Sequence, residues 1–185
     1  VETVQLMPVG DPAAEGTVFG PLANHKQKAS VEGYIRKGVE EGATIAYGGG
    51  QVEGLPDAVA GGAFVQPTVF TDVDNSMTIA QEEIFGPVMQ VIAYDTVDEA
   101  VQIANDSEFG LAGAIYSADP DAALAVAQRV RTGTMGINWY AFDPTAPFGG
   151  FKNSGLGREN GTEGLEAYCE LQSVLMPFGW EPSSD

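Results

Sequence analysis

A chain of 185 residues, 44% hydrophobic and 18% charged, has the length of one ordinary domain and enough apolar material to bury a core. Its net charge of −18, from 26 acidic and 8 basic residues scattered along the sequence, repels polyanions and so excludes nucleic acid and anionic membrane as partners. A single cysteine, Cys169, excludes an internal disulfide and multi-cysteine metal sites, and fits a reducing, cytoplasmic setting.

The first residues, VETVQLMPVGDP, lack the basic start and apolar centre of a signal peptide. No apolar run reaches the ~20 residues that span a bilayer. Val1, Val4 and Leu6 read as the tail of an amphipathic element, so the chain is expected to be part of a longer protein. Over 23–42, Val31, Tyr34, Ile35 and Val39 recur at helical spacing and Gly42 is a natural stop. ATIAY (43–47) then reads as a short strand, and GGG as a loop. FVQPTVF (64–70) reads as extended, with Pro67 predicting an edge or irregular strand.

PVMQVIAY (87–94) is a candidate buried strand. It runs into Thr96-Val-Asp-Glu99, a capping box that opens the helix VDEAVQIAN. AGAIYS (112–117) is the next strand, and Asp119-Pro120 opens a helix as N-cap and first-turn proline. That helix is expected to turn Leu124, Val126, Ala127 and Val130 inward. It would close with Arg129 and Arg131 in its last turn and Gly133 beyond its end. TMGIN (134–138) completes a strand–helix–strand–helix–strand series, which predicts βαβ crossovers and a largely parallel sheet. A Gly/Pro/aromatic loop follows, then a short helix or turn over 163–168, a strand-like LQSVLM, and a polar tail, FGWEPSSD, expected to fray.

The stretch FGGFKNSGLGRENG (148–161) invites a phosphate-loop reading, which its context rejects. Gly150 and Gly155 have Walker spacing, but Leu156-Gly157 stands where Lys-Ser/Thr is needed. A dinucleotide fingerprint must leave a central strand, and AFDPTAPFGGFKNS cannot be one. The glycines are therefore expected to serve sharp turns and close backbone approach. His25, the only histidine, reads as a surface residue near a helix start. Cys169, flanked by Glu170, lacks the base or helix N-terminus that would activate a thiol. In QEEIFGPV, one of Glu82 and Glu83 could turn inward to accept hydrogen bonds from vicinal hydroxyls, with Phe85 as an apolar wall. Spacing alone does not choose between that and a solvated pair.

QEEIFGPVMQVIAYDTVDEAVQIANDSEFGLAGAIYSAD, TGTMGIN and PFGGFKNSGLGRENGTEGLEAYCELQSV together resemble the C-terminal part of the NAD(P)-dependent aldehyde dehydrogenase superfamily. VGDPAAEGTVFGPLANHKQ and GAFVQPTVFTDVD also look like family segments, so the likeness covers nearly the whole chain. The resemblance implies an α/β fold with a largely parallel twisted sheet and flanking helices, plus a C-terminal oligomerisation strand. It divides the chain into catalytic-domain portion 1–154, connecting segment 155–168, strand 169–177 and tail 178–185.

Such enzymes oxidise an aldehyde to a carboxylic acid with NAD or NADP through a cysteine thiohemiacetal and thioester, which a glutamate-activated water hydrolyses. The resemblance implies that Glu83 bonds the nicotinamide ribose and that Phe85 lies beside that ribose and ring. It makes Phe148 a wall of the substrate tunnel, with Trp139 and Phe142, in the loop WYAFDPTAP (139–147), bearing on aldehyde choice. It also implies a homodimer or homotetramer joined through 169–177. The family's Gly-Gln-x-Cys and Glu-Leu-Gly-Gly motifs, which carry nucleophile and base, do not occur in this sequence, and Cys169 does not match the nucleophile. The expected function is thus a portion of an aldehyde dehydrogenase, inactive alone; the alternative is a non-enzymatic oligomerisation or binding module derived from the family.

Overall fold

In the computed structural model, which describes residues 1–182, one helical turn, α1 (Glu2–Gln5), precedes the long helix α2 (His25–Glu40). Asn24 starts α2 by accepting the Gln27 backbone N–H at 2.8 Å. Its buried stripe is Val31, Ile35 and Gly38; Val39, expected inside, is half exposed. The stripe is one residue off because Gly38 lets the helix settle onto Ile79 and Phe70. A Cβ there would lie 2.8 Å from Ile79 Cδ1. The chain leaves the helix at Gly42, as expected.

Strand β1 (Thr44–Tyr47) pairs antiparallel with β2 (Thr68–Thr71), which pairs parallel with β3 (Val88–Gln90). The sheet is therefore mixed, and β2 is its central, buried strand rather than an edge. Pro67 is compatible with this because the ladder starts one residue later, where the Thr68 N–H donates to Pro87 O at 2.8 Å. β3 is an edge of this sheet, and Met89 in it and Val91 and Tyr94 after it are exposed, against the expectation of a buried strand. A one-turn helix the sequence reading missed, α3 (Thr78–Gln81), packs on α2 and leads into residues 82–86. Val31, Ile35, Phe70, Ile79 and Ile84 centre the core of this part of the chain.

Helix α4 (Val97–Asn105) opens with Thr96 Oγ1 accepting the Glu99 N–H at 3.2 Å. The reciprocal arm of the box is displaced: Glu99 Oε2 takes the Asp95 N–H, at 2.7 Å. The chain divides into two compact units, Val1–Ser107 and a second that begins at Glu108.

In the second unit β4 (Ala112–Ile115), α5 (Pro120–Ala127) and β5 (Thr134–Ile137) form a βαβ crossover, with Ala112 opposite Thr134 and Ile115 opposite Ile137. β3 and β4 belong to different sheets, so the single sheet expected from the strand series is two. Asp119 Oδ1 caps α5 by accepting from the N–H groups of Asp121 (3.0 Å) and Ala122 (3.1 Å). The inward residue of α5 is Ala123, and Leu124 is half exposed. PDAALAVA is apolar nearly all round, so periodicity could not select its face. The helix also ends at Ala127, short of Arg129 and Arg131.

A 3₁₀ turn (Lys152–Ser154) and α6 (Gly161–Glu166) follow. Residues 169–177 form no strand in this chain, and Leu171, Val174 and Leu175 are largely exposed. Of the tail 178–185, residues 183–185 lie outside the described residues. Among the described residues no helix is long and apolar enough to cross a membrane.

Candidate cofactor and substrate sites

The two groups of candidate residues fall on separate units. In the first, the sequence Glu82-Glu83-Ile84-Phe85-Gly86 forms a tight loop between α3 and β3. Ile84 is buried in the core, while Glu83 and Phe85 on either side of it are exposed. Alternation about a buried anchor thus puts a carboxylate and an aromatic ring out from the same short segment. Phe85 has φ +51°, a conformation unfavourable for an aromatic residue and one that persists only when its surroundings enforce it.

Those surroundings come from α2. The Gln27 side-chain amide donates to Ile84 O and Phe85 O, both at 3.1 Å. Gly86 closes against Val31, where a Cβ would lie 2.6 Å from Cγ2. The Tyr34 hydroxyl donates to Glu82 Oε2 at 2.8 Å. That bond, followed by burial and the Glu82 charge, raises the Tyr34 pKa above its ordinary value. Both carboxylates are exposed, and the Tyr34 bond is what differentiates the pair that spacing left equivalent: it engages Glu82.

In the second unit the Phe142 and Phe148 rings meet edge to face, centroids 5.7 Å apart at 76°. Phe148 is held by reciprocal 2.7 Å backbone bonds with Glu159, and it lines a cleft of about 360 Å³ with Leu111, Leu156 and Ala167. Trp139 is not part of the ring pair; it is 72% exposed. Two side chains shape the loop that carries these aromatics. Asn138, at φ +54°, grips Ser117, with Oδ1 accepting its N–H and Nδ2 donating to its carbonyl, each at 2.8 Å. The amide thereby adds one side-chain rung beyond the β4–β5 ladder, just before Trp139. Asp143 Oδ1 accepts from the Thr145 hydroxyl (2.7 Å) and N–H (2.8 Å), which together lower the Asp143 pKa.

The glycine-rich stretch 148–161 is a backbone-packing device. A Cβ on Gly133 would fall on the Gly149 carbonyl oxygen, and one on Gly149 would lie 2.6 Å from that of Gly157. Arg158 holds the turn by donating to Gly150 O (3.0 Å) and Gly157 O (2.6 Å), its guanidinium 5.3 Å from the Phe151 ring centroid. Ser154 Oγ accepts the Gly110 N–H at 2.9 Å. His25 is exposed at the first position of α2, and Cys169 is exposed, with Sγ 3.5 Å from Leu165 O.

Sequence reasoning passed over Gln27, Asn138 and Arg158, and took Tyr34 only as part of an apolar face. Gln27, Tyr34 and Asn138 bond groups distant in sequence, for which local spacing has no signature, while Arg158 bonds carbonyls within its own glycine-rich stretch.

A family model described as "Aldehyde dehydrogenase family" matches residues 1–174. The solved structure of a Mycobacterium tuberculosis aldehyde dehydrogenase complexed with NAD+ is 54% identical, with a TM-score of 0.91 over 98% of this chain and 37% of that one. A mutant of Pseudomonas syringae aldehyde dehydrogenase C, complexed with NAD+ and octanal, is 48% identical with a TM-score of 0.85, over 91% of this chain and 34% of its own. A Staphylococcus saprophyticus protein provisionally named an aldehyde dehydrogenase is 52% identical over 166 residues, 90% of this chain and 34% of its length. The chain spans about a third of the length of the curated relatives it matches.

Proposed function

Because the chain belongs to the aldehyde dehydrogenase family, we propose that it supplies the nicotinamide-ribose clamp and part of the substrate tunnel of an enzyme that oxidises aldehydes to carboxylic acids. The observation that carries this reading is the loop in which buried Ile84 presents exposed Glu83 and Phe85 together. A carboxylate accepts two hydroxyl hydrogen bonds at once, which suits the vicinal diol of a ribose. The exposed ring beside it offers an apolar face to a flat heterocycle. NAD is the proposed cofactor, in line with the two solved relatives that hold NAD+.

When bound, the cofactor would supply the acceptor for the hydride that leaves the reacting carbon. This chain's contribution is to fix the position of the ring: a clamped ribose restricts the nicotinamide to the reacting face, and orientation is worth orders of magnitude in rate. Phe148 and Phe142, with Trp139 at the mouth, form an aromatic wall suited to apolar or aromatic aldehydes. Nucleophile and general base are assigned to sequence outside this chain, so the 185 residues alone are inactive on this reading. Residues 169–177 are assigned to a strand completed by a second subunit. The non-enzymatic module has no support from the relatives, whose names are those of enzymes.

The test is Glu83→Gln in the full-length enzyme. Single-turnover hydride transfer should fall on the order of tenfold or more, with binding at the adenosine end little changed. A wild-type rate for the chemical step would remove Glu83 from the role.

A further inference from the structure

Resting on the reading of Glu83 and Phe85 as the cofactor clamp, we infer that helix α2 sets the shape of that clamp through one stripe, Gln27, Val31 and Tyr34. Gln27 and Tyr34 are then positioning residues. The three occupy positions i, i+4 and i+7 of α2, which share one face of a helix. Each takes a different part of the loop. Gln27 holds the carbonyls of Ile84 and Phe85, Val31 closes over Gly86, and Tyr34 holds the carboxylate of Glu82. Neither polar residue acts by its own exposed surface; both act on the backbone and the neighbour of the two presenting side chains.

The physical need for such a stripe is the positive φ of Phe85. A left-handed aromatic residue relaxes to an ordinary conformation unless its flanking carbonyls are held, and relaxation would turn the ring and displace Glu83. Burial of Ile84 fixes where the loop attaches, but a single apolar anchor does not fix the rotation of the peptide planes beside it. The two hydrogen bonds from the Gln27 amide do, because they aim both carbonyls at one group. That amide is itself set by the start of its helix: Asn24 caps the Gln27 backbone N–H, placing the side chain one turn from the helix end. Tyr34, two turns on, keeps Glu82 turned toward α2 and leaves Glu83 as the carboxylate free to meet a ligand.

The test compares Gln27→Met, which keeps length and loses the donor, and the isosteric Gln27→Glu, which sets an acceptor against two carbonyls, with Glu83→Gln and the double variant Gln27→Met/Glu83→Gln in the full-length enzyme. Single-turnover hydride transfer, binding of AMP as a probe of the adenosine end, and Tm are read for each. Gln27→Met should slow hydride transfer about tenfold, with AMP binding unchanged, and Gln27→Glu should slow it further. In the Glu83→Gln background Gln27→Met should cost less than about threefold more, since both act through one clamp. Tyr34→Phe should move the rate in the same direction as Gln27→Met.

A slowed Glu83→Gln enzyme alongside a wild-type rate in both Gln27 variants would overturn the inference and leave the clamp standing. Fully multiplicative losses, or a rate loss that tracks a drop in Tm, would overturn it too, by making Gln27 merely structural. An unaffected Glu83→Gln enzyme would remove the clamp itself, and this inference with it.

Discussion

At the scale of the residue, Glu41 shows how one side chain organises its neighbours. Its carboxylate accepts the Thr78 hydroxyl at 2.6 Å and the Thr78 N–H at 2.7 Å, and pairs with Lys37 at 3.4 Å. The hydroxyl bond is the largest cause of a pKa below the ordinary glutamate range, with the N–H and Lys37 adding to it. Since α3 has no cap from its own preceding side chain, Glu41 serves as that cap from across the fold, and α3 delivers the chain into residues 82–86. A depressed carboxylate pKa contributes stability that is present above the unfolded-state pKa and lost as pH falls through the lowered folded value. The urea midpoint of the chain should therefore drop on acidification through that range, and drop less steeply in Glu41→Gln. Asp74, lowered by Ser76, and Asp143 titrate in the same sense, so part of the slope should survive the substitution. An identical pH dependence in wild type and Glu41→Gln would contradict this role.

At the scale of the element, the entrance to β5 and the glycine-rich stretch are joined backbone to backbone. Gly133 meets Gly149, and Gly149 meets Gly157, with no side chain between them. A methyl group at Gly133 would collide with a carbonyl oxygen, which cannot swing aside as a side chain can. Gly133→Ala should accordingly lower the unfolding free energy by more than the ~1–3 kcal/mol typical of overpacking. Chemical denaturation reads this directly, and an unaltered midpoint would show that the segment yields. The expectation from sequence, that these glycines serve close passage rather than phosphate, agrees with this packing. The capped helices were equally legible: Thr96 and Asp119 each bond the first-turn amides that their positions forecast. Helix faces were less so. Val39 and Leu124 point outward because a buried glycine in α2, and an apolar circumference in α5, left periodicity without a unique answer.

At the scale of the whole molecule, the segment 169–177 has no strand pairing in this chain and is rich in exposed apolar residues, with Leu171 and Leu175 almost fully accessible. Exposed strand-formers of this kind are templates for pairing with another chain. Under the proposed assembly, Leu175→Lys in the full-length enzyme should shift light-scattering mass toward smaller species while leaving the unfolding transition of the subunit in place. Retention of the full oligomer mass would argue that 169–177 is not the joint. Under the same proposal, the net charge of −18 on these 185 residues sets a repulsion between neighbouring copies of the segment, and screening by added salt should favour the assembled form.

By itself the sequence determined the family likeness, the helix starts, the βαβ crossover of the second unit and the motif that holds Glu83 and Phe85. These rest on local chemistry: caps, turn residues and contiguous strings that a neighbour in sequence can carry. Tertiary structure alone decided that β2 lies at the centre of a mixed sheet, that the strands fall into two sheets, and that Glu82 rather than Glu83 is engaged. It also decided that Gln27, 57 residues before Ile84, holds the loop in place. Such outcomes depend on which distant groups meet, and burial and hydrogen-bond satisfaction choose among partners that local spacing leaves equivalent.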